Sequence, residues 1–497
     1  MKSYLQHIPL GTSLPVSNPH AISVSFPSMD DVIGYEKKDV CTLQQLQSGY
    51  PRFFRNKLVH LLCETVRKEF KLPVSVEIYP LPCNAVLSLL NLYFCKDFVK
   101  IEAYGVTFLL LDENDVQLGK LRGFLRQVGV FMSSRNAEDI LHSNGLISTT
   151  FNEAYTEVQP YYFVQQSLQK AYETNSVDDI ILSNCGMNAF FAVFQTIQDI
   201  SLLSGKNRVL QLGNLYLDSY DILRTYANKI TLSHVTDFDE IRRMIEMHHT
   251  VLSAVYVEVP NNPLLECVDL PRLYALCQEY NIVLLVDSSM ASAHTLKLLP
   301  YCDVITESLS KFANGQGDVL MGAIVVNAAS TYSKEIKSRI ASYVIPPYVR
   351  DVQRLAHSIS DYYERVCLSS ASTRKLIEYL ENSPEVEQVY SVLHPLSKRN
   401  FSILQKNDSL IPSVFSVLFK QPLAYYYDKL PLPKGPSFGT VFTLAMPYVY
   451  LAHFDLIQTE EGRQQLTEMG LHPDMLRISV GLEPVEDIIA SFKLAGI

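Results

Sequence analysis

The middle of the chain alternates continuous apolar runs with segments of helical periodicity. Three runs of strand length, RVLQLG, LSAVYVEV and NIVLLVD, are almost entirely apolar, which is typical of strands buried on both faces of a parallel sheet. Between the last two, DLPRLYALCQEY repeats its apolar residues on one helical face behind Asp269, a residue suited to cap a helix. Strand, helix and strand in this order predict an α/β domain. Further strands are predicted in DDIILSN, VITESLSKF and GAIVVN, and a helix in NAFFAVFQTIQDISLL.

The two ends of the chain have a mixed pattern. Before the α/β region, RNKLVHLLCETVRKEF predicts a helix, and VSVEIY and VTFLLLD predict two short strands. After it, one long helix is predicted from about Pro347 to Asn382. It is followed by strand candidates in EQVYSV, SVFSVLF, GTVFTLAM and MLRISVG and by a last helix in PVEDIIASFKLAG. Strands that follow helices in this way predict a smaller α+β domain.

These patterns divide the 497 residues into three parts. Residues 1–150 are expected to form an N-terminal extension with an inserted α/β region, residues 151–345 the large domain, and residues 346–497 the small C-terminal domain. The large domain is expected to contain a mainly parallel sheet.

Composition and charge exclude several classes of protein. The formal charge of −10 argues against a general nucleic-acid binder, because phosphate contacts need clustered Lys and Arg. Nine scattered cysteines without a CxxC pair suit reduced thiols and give no metal signature. We find neither a signal peptide nor an uncharged apolar run long enough to cross a bilayer. The expectation is a cytoplasmic enzyme, with the nucleus also possible, that binds no metal, nucleic acid or membrane.

Polar residues at the predicted strand ends suggest a site, since ligands of α/β domains bind at the carboxyl ends of the strands. Asp287 directly follows the run IVLLV, where it either caps a turn or faces a ligand. Lys311, 24 positions later, follows Ser308 and Ser310 and precedes a Gly-containing turn. It is either a solvent-facing lysine or a Schiff-base lysine whose hydroxyl neighbours bind a phosphate.

Two further features fit the same site. Gly186 and Met187 begin a predicted helix, and the free N–H groups of a helix start attract phosphate. Arg477 interrupts an apolar strand, where it serves either a structural ion pair or the carboxylate of a ligand. Taken together, a lysine, an acid, a phosphate cradle and an arginine are the parts needed for pyridoxal phosphate (PLP) acting on an amino acid.

At these residues the chain resembles a known family. EVPNNPLLECVDLPRLYALCQEYNIVLLVDSSMAS and SLSKFANGQGDVLMGAIVV are similar to the core of the Cys/Met-metabolism PLP-dependent enzymes. The segments HAISVSFPSMDDVIGYE, SGYPRFF, KGPSFGTVFTL and YLAHF resemble its subgroup of large fungal cystathionine γ-synthases. The resemblance implies the PLP-dependent, aspartate-aminotransferase-like fold (fold type I).

The resemblance also implies a role for each matching residue. Lys311 would hold the cofactor and shuttle protons, Tyr216 would stack on the cofactor ring and assist catalysis, and Asp287 would bind the ring nitrogen. The cofactor phosphate would be held by Ser308, Ser310, Gly186 and Met187. Asn262 would lie near both the cofactor and the substrate, and Ser437 and Arg477 would hold the substrate carboxylate.

The second side of the phosphate site departs from the family pattern. The Tyr-x-Arg motif that completes the neighbouring subunit's phosphate site lies shortly before the Gly-Met pair in compact members. Here the motif is Tyr50-Pro51-Arg52, and Arg52 precedes Gly186 by 134 residues. Either a domain is inserted between them or another group, with Arg135 as the candidate, takes the role. Tyr50 and Arg52 are favoured, and a shared site implies a homodimer or homotetramer.

The implied reaction is γ-replacement on an activated homoserine ester (O-succinyl, O-acetyl or O-phospho) with cysteine, which gives cystathionine in the transsulfuration route to methionine. Two alternatives within the class are a homocysteine synthase that uses sulfide and a γ-lyase-type elimination. An alternative of a different class is a catalytically inactive paralogue that serves as a binding protein. Pro436, where some relatives carry an acid that binds the substrate amino group, leaves the substrate open.

Overall fold

The computed structural model of the protein describes residues 4–497, apart from the side chains of Leu92 and Leu203. The strands are β1 (Ser13–Leu14), β2 (Ser23–Val24), β3 (Val76–Pro80), β4 (Lys100–Ala103), β5 (Val106–Asp112), β6 (Ile180–Ser183), β7 (Arg208–Leu212), β8 (Asn228–Leu232), β9 (Leu252–Glu258), β10 (Val283–Asp287), β11 (Val304–Ser308), β12 (Gly322–Val326), β13 (Val386–Tyr390), β14 (Val414–Phe419), β15 (Leu444–Pro447) and β16 (Leu476–Ser479).

The helices are α1 (Met29–Glu36), α2 (Val40–Gln45), α3 (Lys57–Glu69), α4 (Ala85–Phe94), α5 (Leu118–Val128), α6 (Ser134–Ser143), α7 (Pro160–Tyr172), α8 (Gly186–Ser204), α9 (Leu217–Tyr226), α10 (Phe238–His248), α11 (Leu270–Glu279), α12 (Ser333–Arg339), α13 (Val349–Ser358), α14 (Tyr362–Glu381), α15 (Pro395–Leu404), α16 (Leu423–Tyr427), α17 (Tyr448–Ala452), α18 (Phe454–Ile457), α19 (Glu460–Glu468) and α20 (Val485–Leu494).

A seven-stranded sheet in the order β6-β12-β11-β10-β9-β7-β8 forms the centre of the large domain. All of its strand pairs are parallel except the two that β12 makes with its neighbours, which are antiparallel. Every residue of β9 and β12 is buried, as expected for strands covered on both faces. The predicted α/β fold with a mainly parallel sheet is confirmed.

The register of this sheet brings the predicted site residues together. Asp287, the last residue of β10, pairs with Thr306 of β11 on one side and with Glu258 of β9 on the other. The turn that carries Lys311 follows β11 directly. Because these strands are parallel, their carboxyl ends meet at one edge of the sheet.

The C-terminal part contains a four-stranded antiparallel sheet in the order β13-β14-β16-β15. Two sequence predictions here were wrong in detail. The long helix from Pro347 to Asn382 is two helices, α13 and α14, and Arg365 donates to the carbonyl oxygen of Ser358, the last residue of α13, at the break between them. The strand predicted in GTVFTLAM begins only at Leu444, since Thr443 instead donates its backbone N–H to Glu483.

The inserted region, which runs from α3 to α6, has its own antiparallel sheet in the order β3-β5-β4. Helices α3 and α6 cover it with a separate apolar core that includes Leu62, Phe108 and Leu141. Its α5 packs on α8 of the large domain through Phe124 and Phe191, whose ring centroids are 5.9 Å apart. The inserted region is therefore attached to the helix whose first turn lies at the predicted phosphate site.

Residues 4–56, which we call the N-terminal arm, connect the two larger parts. Ile22 donates its backbone N–H to Gly317, in the turn after Lys311, and Phe26 donates to Lys434 of the C-terminal part. No helix within residues 4–497 is both long and apolar enough to cross a membrane.

Candidate active site

Asp287 is held by two donors at the carboxyl edge of the large sheet. Its Oδ2 accepts a hydrogen bond from Thr306 Oγ1 at 3.1 Å, and its Oδ1 accepts from the Ser289 backbone N–H at 2.8 Å. Burial raises the pKa of the Asp287 carboxyl above its usual value, against the two bonds, which lower it. A cation beside this carboxylate would restore the ionised form, so its environment suits a protonated ring nitrogen.

Gly186 and Ser308 form a narrow cradle at the start of α8. A Cβ on Gly186 would lie 2.8 Å from the Ser308 Cβ, so no larger residue fits there without movement. The Ser308 Oγ is buried and has no hydrogen-bond partner within residues 4–497. A buried unpartnered hydroxyl beside free helix N–H groups is suited to a phosphate.

The other two predicted phosphate residues have different surroundings. Ser310 accepts from the Met321 backbone N–H at 3.1 Å, and its hydroxyl also lies 3.4 Å from the Met321 carbonyl oxygen. Its side chain therefore fixes the turn that follows β11. Met187 lies in the first turn of α8, where its sulfur accepts from Ser219. The backbone of Met187, rather than its side chain, remains the group that a phosphate would use.

Lys311 lies among neutral and cationic groups. Its Nζ donates to the Ser437 Oγ at 3.0 Å and lies 5.0 Å from the ring centre of Tyr50 and 4.8 Å from that of Phe438. Burial, reinforced by the positive charges of Arg477 and Arg52, lowers the pKa of Lys311 to about 7. The side chain is therefore a neutral amine at slightly basic pH, which is the form that acts as nucleophile or base.

Arg477 is a buried cation that bonds only to uncharged acceptors. Its Nη1 donates to Asn262 Oδ1 and its Nη2 to the Ser437 carbonyl oxygen, both at 3.1 Å. No carboxylate in the described part of the chain lies within 4.0 Å of the guanidinium, and burial lowers the pKa of Arg477 to about 10. A buried arginine without a counter-ion is costly to the fold unless a ligand supplies the negative charge.

The backbone at Ser437 is strained. Its φ of 92° lies in the left-handed region, which residues other than glycine rarely adopt. A Cβ on the neighbouring Gly439 would lie 2.7 Å from the Phe312 nitrogen and 2.9 Å from the Lys311 carbonyl carbon. The turn that contains Ser437 and Gly439 therefore packs closely against the backbone of Lys311. The left-handed conformation of Ser437 is a form of backbone strain that is often found at functional sites.

Tyr50 and Arg52 reach the site of their own chain. Arg52 donates from Nη2 to the Tyr216 hydroxyl and from Nη1 to Asp218 Oδ2, both at 2.6 Å. Tyr50 lies between Arg52 and Lys311, with its ring centre 5.2 Å from the Arg52 Cζ. The resemblance implied that this pair would serve a neighbouring subunit, whereas the N-terminal arm places it beside the chain's own Tyr216.

Arg135, the other candidate for the phosphate, lies in a different environment. Its guanidinium forms two bonds with Glu153, at 2.8 and 2.7 Å, one with Asp351 at 2.8 Å and one with the Asp318 carbonyl oxygen at 2.8 Å. With its donors used by these acceptors, Arg135 links α6, α13 and the turn after Lys311. Of the two arginines, only Arg52 touches the residues of the site.

Sequence reasoning missed several residues that complete the walls. Phe438 lies between Lys311 and Arg477, with its ring centre 4.9 Å from the Arg477 Cζ. Tyr448 accepts a hydrogen bond from Asn262 Nδ2 at 3.2 Å. The signal for Phe438 was its place in PSFG, next to a predicted residue, whereas Tyr448 lies in an apolar segment and carries no local signal.

A buried acid was also missed. The Glu258 Oε1 accepts the Tyr216 backbone N–H at 2.5 Å, and its Oε2 has no hydrogen-bond partner within residues 4–497. Burial, together with the charge of Asp287 on the neighbouring strand, raises the pKa of Glu258 well above its usual value. Through the bond to the Tyr216 backbone N–H, Glu258 fixes the start of the segment that presents Tyr216.

The chain belongs to the Cys/Met metabolism PLP-dependent enzymes. The profile of that family matches residues 163–495, which contain every predicted site residue except Tyr50 and Arg52. PLP is the cofactor of this family, and the cradle at Gly186, the unpartnered hydroxyl of Ser308 and the lowered pKa of Lys311 fit it.

Two relatives resemble nearly the whole chain. An L-2-amino-4-chloropent-4-enoate dechlorinase/desaturase from Streptantibioticus cattleyicolor is 33% identical over 95% of this chain and 95% of its own. The cystathionine γ-synthase of Saccharomyces cerevisiae is 22% identical over 98% of both chains. The inserted region and the N-terminal arm are thus part of the similarity, although the named activities of these relatives differ.

Among solved structures, the fold is similar to that of a cystathionine γ-synthase from Xanthomonas oryzae in complex with aminoacrylate and cysteine. The TM-score is 0.58 at 19% identity, and the match covers 68% of this chain and 86% of the other. A cystathionine γ-lyase from Lactobacillus plantarum gives 0.57 at 17% identity, over 70% of this chain and 91% of that one. These similarities concern the fold.

Proposed function

We propose that this enzyme expels a leaving group from the γ-carbon of an α-amino acid and adds the thiol of cysteine in its place. The substrate would be an activated homoserine ester and the product cystathionine, as in transsulfuration. The observation that carries the proposal is Arg477, a buried cation without a carboxylate partner, whose fork lies next to Lys311 through their shared neighbour Ser437.

Each residue of the site has a distinct binding role in this proposal. Lys311 would hold PLP by its amine, and Asp287 would face the ring nitrogen. Ser308 and the first N–H groups of α8 would take the phosphate, assisted by Arg52. Bound there, PLP supplies a sink for the electrons left at the substrate Cα.

The substrate would be oriented by its carboxylate. A planar guanidinium binds a carboxylate through two parallel bonds, which fixes both position and angle. Asn262 and the Ser437 carbonyl oxygen hold Arg477 in place. The strained turn at Ser437 then carries the hydroxyl that contacts Lys311. Carboxylate binding and the position of the base are coupled through this one serine.

Lys311 would move the protons. With its lowered pKa, the free Lys311 amine would take the proton from the substrate Cα as a neutral base and return it later to another carbon. Phe438 and Tyr50 line the space around Nζ with aromatic rings, which exclude water from the amine. The surroundings therefore favour transfer within the site over exchange with solvent.

Elimination without addition is the second candidate, and two observations favour it. The relative with 33% identity over nearly the whole chain is a dechlorinase/desaturase. In addition, Arg477 is a single arginine without a carboxylate partner beside Lys311, whereas cysteine would bring a second carboxylate. Sulfide as nucleophile would need no second receptor either.

The test is a product analysis with purified enzyme and PLP. O-succinyl-, O-acetyl- and O-phosphohomoserine are each incubated alone, with cysteine and with sulfide, and products are separated by mass spectrometry. Cystathionine formed only with cysteine supports replacement, and homocysteine formed with sulfide supports the sulfide-using alternative. A keto acid and ammonia at equal rates with and without cysteine would instead establish elimination. No turnover with any ester, despite bound PLP, would overturn the substrate assignment.

A further inference from the structure

Lys311 lies in a short turned segment, residues 309–315, that directly follows β11 and that we call the lysine turn. Within it the Gly315 backbone N–H donates to the Lys311 carbonyl oxygen at 2.8 Å. Phe312 and Ala313 are buried, and a buried carbonyl oxygen needs a donor. The carbonyl oxygens of these two residues receive their donors from one side chain of the C-terminal part.

That side chain is Arg365, near the start of α14. Its Nη1 donates to the Phe312 carbonyl oxygen at 2.8 Å, and its Nη2 donates to those of Ala313 at 2.9 Å and Ser358 at 2.7 Å. Its Nε donates to Asp361 at 2.7 Å, and the guanidinium is buried. Because a planar guanidinium directs its donors at fixed angles, bonds to two successive carbonyl oxygens fix the orientation of the lysine turn.

The C-terminal part contacts the lysine turn at a second place, just after Ser437. The Val441 backbone N–H donates to the Gly315 carbonyl oxygen at 2.7 Å. A Cβ on Gly315 would lie 2.0 Å from the Arg365 Nη1, so only glycine fits beside the guanidinium. Helix α14 itself packs on β13 and α20. The part of the chain that contains Ser437 and Arg477 therefore also holds the turn that contains the lysine.

We propose that Arg365 is a positioning residue that sets the distance between Lys311 and the substrate. Its guanidinium bonds to the two residues after Lys311, whereas Ser437 and Arg477 would bind the substrate carboxylate. Because proton transfer needs donor and acceptor within hydrogen-bond reach, a small displacement of the lysine turn should slow the reaction without weakening carboxylate binding. This inference rests on the proposed function, in which Lys311 takes the proton from the substrate Cα.

Arg374, further along α14, offers a matched control. Its Nε donates to the Ser409 carbonyl oxygen at 3.2 Å, and its Nη2 donates to that of Asp408 at 2.6 Å. This arginine therefore also holds a backbone segment through two successive carbonyl oxygens. Arg374→Met removes the same kind of side chain from the same helix and leaves every bond between Arg365 and the lysine turn in place.

The first experiment follows the lysine turn in the PLP-free proteins by hydrogen–deuterium exchange and mass spectrometry. In Arg365→Met the peptide that covers residues 309–317 should exchange about tenfold faster than in the wild type, because charge-assisted bonds to the turn are lost. Arg365→Lys, which keeps the charge but has one nitrogen in place of two Nη groups, should exchange at an intermediate rate. Arg374→Met should leave this peptide within about twofold. An unchanged rate in Arg365→Met would overturn the proposal.

The second experiment separates kcat from KM in the PLP-loaded variants, with the homoserine ester that the wild type turns over. Arg365→Met should lower kcat about tenfold and leave KM within about twofold, because Lys311 is displaced while Arg477 still binds the carboxylate. Arg374→Met should keep both constants. A merely structural role would accelerate exchange and lower the unfolding temperature at an unchanged kcat. That result, or a raised KM at unchanged kcat, would contradict positioning.

Failure of this inference can be told apart from failure of the proposed function. If the wild type turns over no ester, the proposed function is wrong, and the rate at which the PLP-free proteins capture PLP takes the place of kcat. Arg365→Met should then capture PLP about tenfold more slowly than Arg374→Met. Equal capture rates would overturn the role of Arg365.

A second variant keeps the inference testable if Arg365→Met fails to fold. Gly315→Ala leaves Arg365 in place and inserts a methyl group against its Nη1. Gly317→Ala is the control, since both glycines have a left-handed φ, of 68° and 71°, but a Cβ on Gly317 would have its nearest neighbours at 3.4 Å. Gly315→Ala should accelerate exchange of the lysine turn and lower kcat more than Gly317→Ala does. Equal effects of the two substitutions would overturn the proposal.

Discussion

Two buried arginines of this enzyme lie in opposite surroundings. Arg135 is enclosed by Glu153, Asp351 and the Asp318 carbonyl oxygen, and its side chain is 1% exposed. Arg477, which is also buried, bonds only to an amide oxygen, a carbonyl oxygen and the sulfur of Met446. Arg135 thus lies in a cluster of ion pairs, whereas Arg477 has no carboxylate within 4.0 Å in the described part of the chain.

The pKa values of the two guanidinium groups express the same difference. Burial lowers the pKa of Arg135, but the bonds to Glu153 and the charges of Asp351 and Asp318 outweigh it, and the pKa is raised. At Arg477 burial dominates and lowers the pKa to about 10. A buried cation with its partners stabilises the fold, whereas one without them indicates a site for an anionic ligand.

The largest effect is expected at Lys311, which shares the uncompensated surroundings of Arg477. Under the proposed function, Lys311→Ala removes both the residue that would attach PLP and the group that would move the Cα proton, so turnover should fall by about 10³-fold or more. The absorbance of the attached cofactor near the visible edge should disappear as well. Steady-state kinetics and an absorbance spectrum measure the two. An Arg135→Lys enzyme, as control, should keep the absorbance.

Arg135→Met tests the finished cluster. Removing one partner leaves Glu153 and Asp351 buried with less counter-charge, so the free energy of unfolding should fall by about 3–5 kcal/mol. Urea unfolding measures this loss. Arg135 has no role in the proposed reaction, so the protein that remains folded should keep the wild-type turnover. A variant as stable as the wild type would show that the ion pairs of Arg135 do not stabilise the fold, and it would contradict the contrast with Arg477.

Arg477→Met should have the opposite signature. Loss of two charge-assisted bonds to the substrate should reduce kcat/KM by about 10²-fold, or about 3 kcal/mol. The PLP-free protein should be as stable as the wild type or more stable, since an unpaired buried charge has been replaced by an apolar side chain of similar length. If instead Arg477→Met unfolds as easily as Arg135→Met, the two arginines do not differ as described.

Some residues of the candidate site could be predicted from the local sequence pattern, and others could not. Asp287, Lys311 and Arg477 could be predicted because each interrupts or directly follows an apolar strand, where a polar residue needs a reason. Asp218 could not, because its role depends on a contact with Arg52 across 166 residues. Local pattern contains no information about such contacts.

The fold shows the same division. The apolar runs predicted six of the seven strands of the large sheet. The seventh, β8, and β4 of the inserted sheet contain exposed residues and have no apolar run. The break between α13 and α14 depends on Arg365 and on Asn314, which accepts from Ser358 across 44 residues. That the Tyr50–Arg52 segment returns to its own chain is likewise a tertiary result, and the domain boundaries stay a prediction.

The smallest effect concerns pH. Burial and the charges of Arg477 and Arg52 disfavour the protonated amine, so Lys311 loses its proton near pH 7 instead of near 10.5. Capture of PLP by the PLP-free enzyme needs the neutral amine, and its rate should rise about tenfold per pH unit below 7 and level off above it. Stopped-flow absorbance measures the rate. A rate that still rises steeply between pH 8 and 10 would contradict the lowered pKa.

The most direct test of the central claim asks whether Arg477 is the receptor of a carboxylate. Norvaline, which has no leaving group, and norvalinamide, which lacks the carboxylate, are titrated into the PLP-bound enzyme, and the change in cofactor absorbance gives each dissociation constant. Wild-type enzyme should bind norvaline about 10²-fold more tightly than the amide, and Arg477→Met should bind both equally. Undiminished preference for the carboxylate in Arg477→Met would contradict the account.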